Sequence, residues 1–547
     1  MYNRLLNSQT KTINSAALIL AVMSFISGVL GLLRDRLLAG TFGAGNELDI
    51  YYAAFRIPDF ISIALIMGSI SAAIIPIFSS YLVRSKQEAW KFFANLINLF
   101  LFFLIIISII LIIFVPKIMS LIVPGFSEEK KEMTIILTRI MFLSPIFLGL
   151  SNVISGILRV FKRFFITALA PIMYNLGIIF GILFFVPFFG ITGLAWGVVF
   201  GAFLHFLIQI PILFKLGFRP KPIFNLFDLG FIKTIKLTLP RALGLVAGQI
   251  NLIIITAIGS SLAAGSVAVF NLASNLYNLP IIFIANSFSI AAFPFLALYF
   301  ANKEKERFIK EFSSIFKQII FLVVPISVLM FVLRAQIVRI ILGIGKFDWT
   351  DTCLTAACLG IFSFAILASG LVLLISSTFY ASYNTKIPAL ITLITVGLNI
   401  AFCYLFIYLL SFENLFQKFL LDFFDLNGVK NSSIIALPLA ITISGIFQLF
   451  LLLIFLYKQI GDFKIKEIIY FFFRTLFSSF FLGLTCYLTY QITSSFIDTR
   501  FFWAVFFQTF LATLGGISVF VVLSFLLKSC EINKIKFLIC KKNGNEN

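Results

Sequence analysis

The chain has 547 residues, of which 61% are hydrophobic and 12% charged, and its mean hydropathy is +1.09. Soluble domains run at about 45–50% apolar and about 25% charged, so a water-soluble globule is excluded. With 42 Lys+Arg against 22 Asp+Glu it still carries a formal charge of +20, which a purely lipid-embedded chain does not need.

A hydrocarbon core about 30 Å thick requires roughly 20 helical residues per crossing. The N-terminus, M-Y-N-R-L-L-N-S-Q-T-K, leads into an apolar run without a small-residue cleavage site, which predicts a retained first span. In chain order, apolar runs between polar punctuation predict helices near 14–38, 47–82, 90–118, 132–160, 166–188, 191–215 and 237–259. They continue near 264–300, 316–342, 352–380, 388–411, 433–457, 469–493 and 503–527. The expected fold is all-α and polytopic, with fourteen transmembrane helices and both termini on one side.

Loop cations select the side. With a cytoplasmic N-terminus, the inner loops and tails hold 27 Lys and Arg, the outer loops hold 7, and 8 of the 42 lie within helices. Cytoplasmic loops are the ones enriched in Lys and Arg, so both termini are expected in the cytoplasm. Positive charge of this origin answers anionic headgroups and gives no reason to expect nucleic-acid binding.

Small residues at helical spacing predict close helix packing. Gly193, Gly197 and Gly201 form one such ladder, and Gly244 and Gly248 another. The favoured reading is packing within one chain, and hence a functional monomer.

An internal repeat spans about 220 residues. R-D-R-L-L-A-G-T-F-G-A-G-N-E-L-D-I-Y-Y-A-A-F-R-I-P ends at Pro58, and T-A-I-G-S-S-L-A-A-G-S-V-A-V-F-N-L-A-S-N-L-Y-N-L-P ends at Pro280. Each is followed by a second proline, Pro76 or Pro294. Six helices per repeat suggest an N-terminal lobe over 1–216 and a C-terminal lobe over 217–457 around a central cavity. Two extra helices over 458–527 and a cytoplasmic tail over 528–547 follow. Transporters are often built from such repeats, with the substrate path between halves.

The residue inventory excludes several chemistries. A single histidine, His205, rules out a two-imidazole metal site and a His-based triad, and it reads as a packed or helix-bonded residue. The six cysteines contain no C-x-x-C pair, and no phosphate-binding loop is present. No covalent chemistry is indicated, so the chain is read as a non-enzyme.

Ionisable groups within spans are costly and commonly line a protein or water cavity. They concentrate in the first two helices as Arg34, Asp35, Arg36, Asp49, Arg56 and Asp59, with Arg139 in the fourth and Arg241 opening the seventh. Arg334, Arg339 and Arg474 read as side chains reaching toward headgroups. For Arg34, an ion pair with Asp35 or Asp49 competes with a binding role. Arg56 and Arg241 lack an excess of acidic neighbours in sequence, and a guanidinium fork suits phosphate oxygens. The ligand expected from physics alone is an anionic, phosphate-bearing amphiphile. Gln249, Asn251 and Asn399 are candidate ligands for a coupling cation such as sodium, although buried amides more often bond neighbouring helices.

These same residues carry a resemblance. S-G-V-L-G-L-L-R-D from Ser27, F-G-A-G-N-E-L-D from Phe42 and A-F-R-I-P-D from Ala54 resemble motifs of the lipid II flippase family (MurJ, also called MviN). V-P-G-F from Val123, L-P-R-A-L-G-L-V-A-G-Q-I-N from Leu239 and F-Y-A-S-Y-N-T-K-I-P from Phe379 resemble others. The resemblance covers nearly the whole chain and implies the multidrug/oligosaccharidyl-lipid/polysaccharide exporter fold. It further implies translocation of undecaprenyl-pyrophosphate-linked disaccharide-pentapeptide across the bacterial inner membrane, with the last two helices forming a groove for the lipid tail. Arg34 and Asp49 match positions that the family uses in its cavity, and Asn275 stands where an arginine often acts. Gly28 and Met67 depart from a family arginine and a family acid. The expected substrate-binding set is therefore Arg34, Asp49, Arg56, Arg241 and Asn275, working by alternating access on an ion gradient or the membrane potential. Rival readings are another lipid-linked oligosaccharide flippase, a drug/cation antiporter, a membrane-embedded glycosyl- or acyltransferase, or a scaffold.

Overall fold

The computed structural model describes residues 13–63, 70–495 and 501–527, with the side chains of 13–18, 70–73 and 239–245 outside that description. In hydrocarbon an unpaired backbone group costs several kcal/mol, so a spanning chain satisfies its amides within helices. The described residues accordingly form helices and no strand.

The first helices are α1 (Ile13–Phe42), α2 (Asn46–Ile61), α3 (Ile70–Arg84), α4 (Lys86–Ile122), α5 (Glu128–Met141), α6 (Leu143–Val160), α7 (Phe164–Phe180), α8 (Ile191–Leu207), α9 (Ile210–Lys215) and α10 (Leu229–Ser260). There follow α11 (Ser266–Pro280), α12 (Ser287–Ala301), α13 (Lys305–Val332), α14 (Arg334–Leu342), α15 (Trp349–Ser363) and α16 (Ala365–Ala381). The last are α17 (Lys386–Leu410), α18 (Leu415–Phe423), α19 (Ala436–Ile460), α20 (Ile465–Ser494) and α21 (Phe502–Leu526). Polar punctuation in the sequence becomes helix caps. Ser85 accepts from the amides of Gln87 and Glu88, Asp228 from Phe231, and Asp348 from Asp351.

Ten described helices are long and apolar enough to cross a membrane, and α15 with α16, bent by 46°, makes an eleventh. The other three expected spans, near 14–38, 47–82 and 237–259, fall on α1, on α2 with α3, and on α10. Each of those includes residues outside the description, and fourteen crossings are consistent with every described one. Large apolar side chains such as Ile113, Leu121, Phe480 and Phe507 stand exposed, as lipid contact requires.

The chain divides into two compact units, Met1–Ala268 with Ile344–Phe347 and Val269–Gly343 with Asp348–Asn547. In the first unit, an aromatic core of Phe78, Trp90, Phe93, Phe161 and Phe218 joins α3, α4 and the turns beyond α6 and α9. The Asn95 amide donates to the Asn225 carbonyl at 2.9 Å and accepts from the Asn225 amide at 2.7 Å. That pair straps the polar connection before α10 onto α4.

The ladder on α8 packs within the chain, as expected. A methyl group on Gly177 would sit 2.3 Å from the Gly201 Cα, and one on Gly181 would sit 2.3 Å from the Gly197 Cα. Gly193 meets the Phe185 backbone in the same way. The second expected ladder is corrected: nothing lies within 4 Å of a Cβ built on Gly248, which is exposed, and Gly244 lies outside the described side chains.

Four glycine-bearing turns of the first unit meet at one end. A Cβ on Gly265 (φ +88) would collide with the Ala44 carbonyl, one on Gly345 (φ +57) with Gly40, and one on Gly125 with the Ser260 and Ser261 backbone. The Lys346 amide also donates to the Gly40 carbonyl at 2.8 Å, which is why Ile344–Phe347 groups with this unit. Asp49 locks the cluster. Its Oδ2 accepts from Lys130 Nζ at 2.7 Å and from the Gly265 amide at 2.8 Å, and its Oδ1 accepts from the Ala268 amide at 2.8 Å. Lys130 also donates to Asn46 Oδ1 at 2.9 Å and lies 4.0 Å from the centre of the Phe126 ring.

π-helical winding occurs at residues 62 and 63, shortly after Pro58, at Gly181–Phe185, and in the second unit at Ile281–Asn286 directly after Pro280, so that both repeat motifs are followed by it although it is not confined to them. Within the second unit α13 and α20 run side by side. Ser313 Oγ donates to the Phe463 carbonyl at 2.7 Å, Lys317 pairs with Glu467 at 2.8 Å, and Gly483 admits Val328.

Two stability predictions follow from this packing. Gly197→Leu should destabilise the purified protein by about 3 kcal/mol or more through overpacking, read as a lower melting temperature. Gly248→Leu should leave that temperature within a degree or so. Asp49→Asn removes the buried carboxylate that holds the half-buried Lys130 ammonium and should cost about 3 kcal/mol. Adding Lys130→Met should recover part of that loss, whereas an unchanged melting temperature in Asp49→Asn would show that the pair holds nothing together.

Candidate functional site: an arginine cluster within the membrane helices

On α1, Arg34 Nε and Nη2 donate to Asp35 Oδ1 at 3.0 and 2.8 Å, and Nη1 donates to Asn175 Oδ1 at 3.2 Å. Asn175 is held in turn by Ser27 and by the Pro171 carbonyl, so its orientation is fixed from both sides. Three of the five N–H donors of the guanidinium are thus spent within the chain, and two remain on a side chain that is 23% exposed. The competing ion pair and the open donors coexist in the same residue.

Arg56 lies one helix further along, on α2, and is buried. Its Nε donates to Thr256 Oγ1 at 2.6 Å, and that hydroxyl donates to the Leu252 carbonyl within α10. Arg56 has no excess of acids around it in sequence, but one acid, Asp59, interacts electrostatically with Arg56 and also with Arg34. Their spacing of three residues places Arg56 and Asp59 on one face of α2, a signal present in the sequence. Tyr52 and Tyr174 complete the cluster, each interacting electrostatically with Arg34. The Tyr52 hydroxyl is buried and has no hydrogen-bond partner among the described residues. Two arginines, two aspartates and two phenols therefore share one partly buried region of the first unit. Their formal charges sum to zero, with Arg34 partly open.

The remaining expected site residues are distributed differently. Asp49 uses both carboxylate oxygens in the turn cluster described above, so it serves the chain's own geometry. Arg241 lies on α10, and its side chain is outside the described residues, as is Met67. Asn275 is half-buried on α11 in the second unit. Gln249 and Asn251 are two residues apart on α10 and leave it about 200° apart, in nearly opposite directions. Asn399 is buried on α17 in the second unit, with its Oδ1 3.9 Å from Cys403 Sγ.

Other polar residues serve packing. The His205 ring nitrogen Nδ1 lies 2.6 Å from Ser151 Oγ, and Gln209 bridges Ser151 and Ser155, so the lone histidine is bonded between α6 and α8. Arg334 pairs with Asp425 at 3.4 Å and lies beside the rings of Phe331 and Phe424, and Arg339 sits over Trp349.

The profile of the family described as "Lipid II flippase MurJ" matches residues 38–507. A protein of Buchnera aphidicola subsp. Acyrthosiphon pisum (strain APS) named "Probable lipid II flippase MurJ" is 32% identical over 384 residues, covering 69% of this chain and 75% of that protein. A solved structure of "Lipid II flippase MurJ, inward closed conformation" is similar at a TM-score of 0.75 and 26% identity, over 94% of this chain and 100% of the other. An inward-facing multidrug resistance MATE family transporter of the MOP superfamily shares the fold at a TM-score of 0.63 and 15% identity, over 80% of this chain and 95% of its own. A match over the greater part of the chain, on an all-helical membrane fold, places it: the chain belongs to the lipid II flippase MurJ family.

Proposed function

We propose that the chain translocates lipid II, the undecaprenyl-pyrophosphate-linked disaccharide-pentapeptide, from the inner to the outer leaflet of a bacterial inner membrane. The observation that carries this reading is Arg34, a membrane-embedded guanidinium with two open N–H donors in a chain of this family. A pyrophosphate leaving water must exchange its hydration for fixed donors, and charge-assisted bonds to a guanidinium are among the strongest available. Arg34 supplies two such donors, and the buried Arg56 adds positive potential. Asp35 and Asp59 keep the resting cluster neutral, so an empty site carries no bare charge within the membrane.

The cycle is alternating access by two six-helix lobes, 1–216 and 217–457, with 458–527 receiving the lipid tail. No bond is made or broken, so the chain works as a transporter and not as an enzyme. Asp49 joins its own turn to the amides of Gly265 and Ala268, which belong to the other lobe and lie with it on the outer side in this orientation, and outward opening requires that contact to part. Arg241 and Asn275 contribute further polar contacts, and a coupling cation such as sodium, or the membrane potential, supplies the energy. The chain acts as a monomer with both termini in the cytoplasm.

Expression in a bacterium depleted of its own lipid II flippase should restore growth. Arg34→Ala, inserted at the wild-type level, should abolish rescue, and Arg34→Lys should leave it impaired because a lysine cannot keep the bonds to Asp35 and Asn175 together. Absence of rescue by the intact, well-expressed chain would refute the lipid II assignment. Full rescue by Arg34→Ala would instead remove the arginine from the mechanism. For orientation, alkaline phosphatase fused at residue 125 or 346 should be active, and fused at 304 or 462 inactive. The reverse pattern would overturn the cytoplasmic placement of the termini.

A further inference from the structure

A cavity of about 490 Å³ opens in the second unit where α12, α16 and α19 end and α13 begins. Its walls include Phe300, Phe308, Tyr383, Gln459 and the two lysines Lys303 and Lys305. All three helix ends that frame it turn through a left-handed residue, Lys303 (φ +59), Tyr383 (φ +59) and Gly461 (φ +83). Amides beyond the first two close their helices, Glu304 onto the Tyr299 carbonyl and Asn384 onto the Phe379 carbonyl, each at 2.9 Å. Gln459 braces the floor, accepting from Asn384 at 3.1 Å and donating to Ser382 Oγ at 2.7 Å. The ring centres of Phe300 and Tyr383 are 6.0 Å apart, and those of Phe300 and Phe308 are 6.1 Å apart.

The cavity wall carries two lysines and no acid. Glu304, the acid between the two lysines, is engaged by Arg307 at 2.7 Å and by Asn302 at 3.3 Å. Neither Lys303 nor Lys305 forms an ion pair among the described residues. A largely aromatic cavity rimmed by two open ammonium groups and interfacial tyrosines matches an amphiphile with an anionic head. A soluble anion would leave the aromatic walls wet. Basic pockets between membrane helices on the cytoplasmic side take anionic phospholipid headgroups.

We propose that this cavity binds an anionic phospholipid of the cytoplasmic leaflet, its headgroup phosphate on Lys303 and Lys305 and the start of an acyl chain against Phe300, Phe308 and Tyr383. The assignment of leaflet rests on the orientation given under Proposed function, while binding itself is independent of translocation. The phosphate chemistry is shared with free inorganic phosphate, and the two sources separate by competition.

The full chain in detergent would be titrated with phosphatidylglycerol or with phosphatidylcholine, and retained lipid counted by native mass spectrometry. Phosphatidylglycerol should be retained selectively, and Lys303→Gln with Lys305→Gln should weaken it by about tenfold. Lys310→Gln, which changes an exposed lysine outside the cavity wall, should change it less than twofold. Inorganic phosphate at millimolar concentration should not displace the lipid. Equal retention of phosphatidylcholine, an unaltered double variant, or displacement by inorganic phosphate would each overturn the proposal. On the unaltered chain, a photoreactive phosphatidylglycerol should label 299–308 or 383, and labelling confined to other segments would also overturn it. Failure of flippase complementation alongside selective lipid retention would count against the transport reading alone.

Discussion

Three donors converge on one carboxylate, and much of the first unit depends on that convergence. Asp49 receives the Lys130 ammonium and the amides of Gly265 and Ala268, which come from α5, the turn before α11 and the first turn of α11 itself. The two amides belong to groups that a helix start leaves without internal partners, so the carboxylate does for α11 what a capping side chain usually does from within the helix. The approach is close enough that glycine is required on the far side, where Gly265 meets Ala44 with no room for a Cβ. F-G-A-G-N-E-L-D and A-A-G-S-V-A from Ala263 are therefore complementary halves of one joint, although more than 200 residues separate them.

The arginine cluster follows a different logic. Each of Arg34 and Arg56 has an acid within the same or the next turn, and each is also held by a neutral polar side chain from a distant helix, Asn175 or Thr256. Local acids keep the charge tolerable in a low-dielectric setting, while distant amides and hydroxyls fix direction. The difference between the two arginines is exposure: Arg56 is sealed and sets potential, and Arg34 remains partly open to accept a ligand.

Most of the architecture was legible in the sequence because hydropathy over some twenty residues is a one-dimensional signal. Helix positions and the intrachain glycine ladder on α8 come from spacing along the chain, and the bonded state of His205 from its being the single histidine, set in an apolar run. Partners of the buried charges were less legible. Asp49 belongs to the family motif, yet its donors lie 81, 216 and 219 residues away, and no local pattern announces them. Asp59 lies three residues from Arg56 on the same face of α2, a signal that resides in helical face and not in the number of acids nearby. Gly248 illustrates the converse: small-residue spacing states that a close approach is permitted, and only a neighbouring backbone makes it real.

The glycine contacts between α7 and α8 carry a mechanical consequence. Where Gly177, Gly181, Gly197 and Gly201 bring two backbones into direct contact, no layer of rotatable side chains remains to shear. Two rods fastened along their surfaces resist flexing more than twice as strongly as either alone. The pair therefore behaves as a stiff beam along Gly177 and Gly201, while widened turns, which bend more readily, lie after Pro58, after Pro280 and at Gly181–Phe185, where α7 gives way to the turn before α8. Compliance and rigidity are thus written into the same chain by where side chains are missing and where a helical turn carries one residue too many.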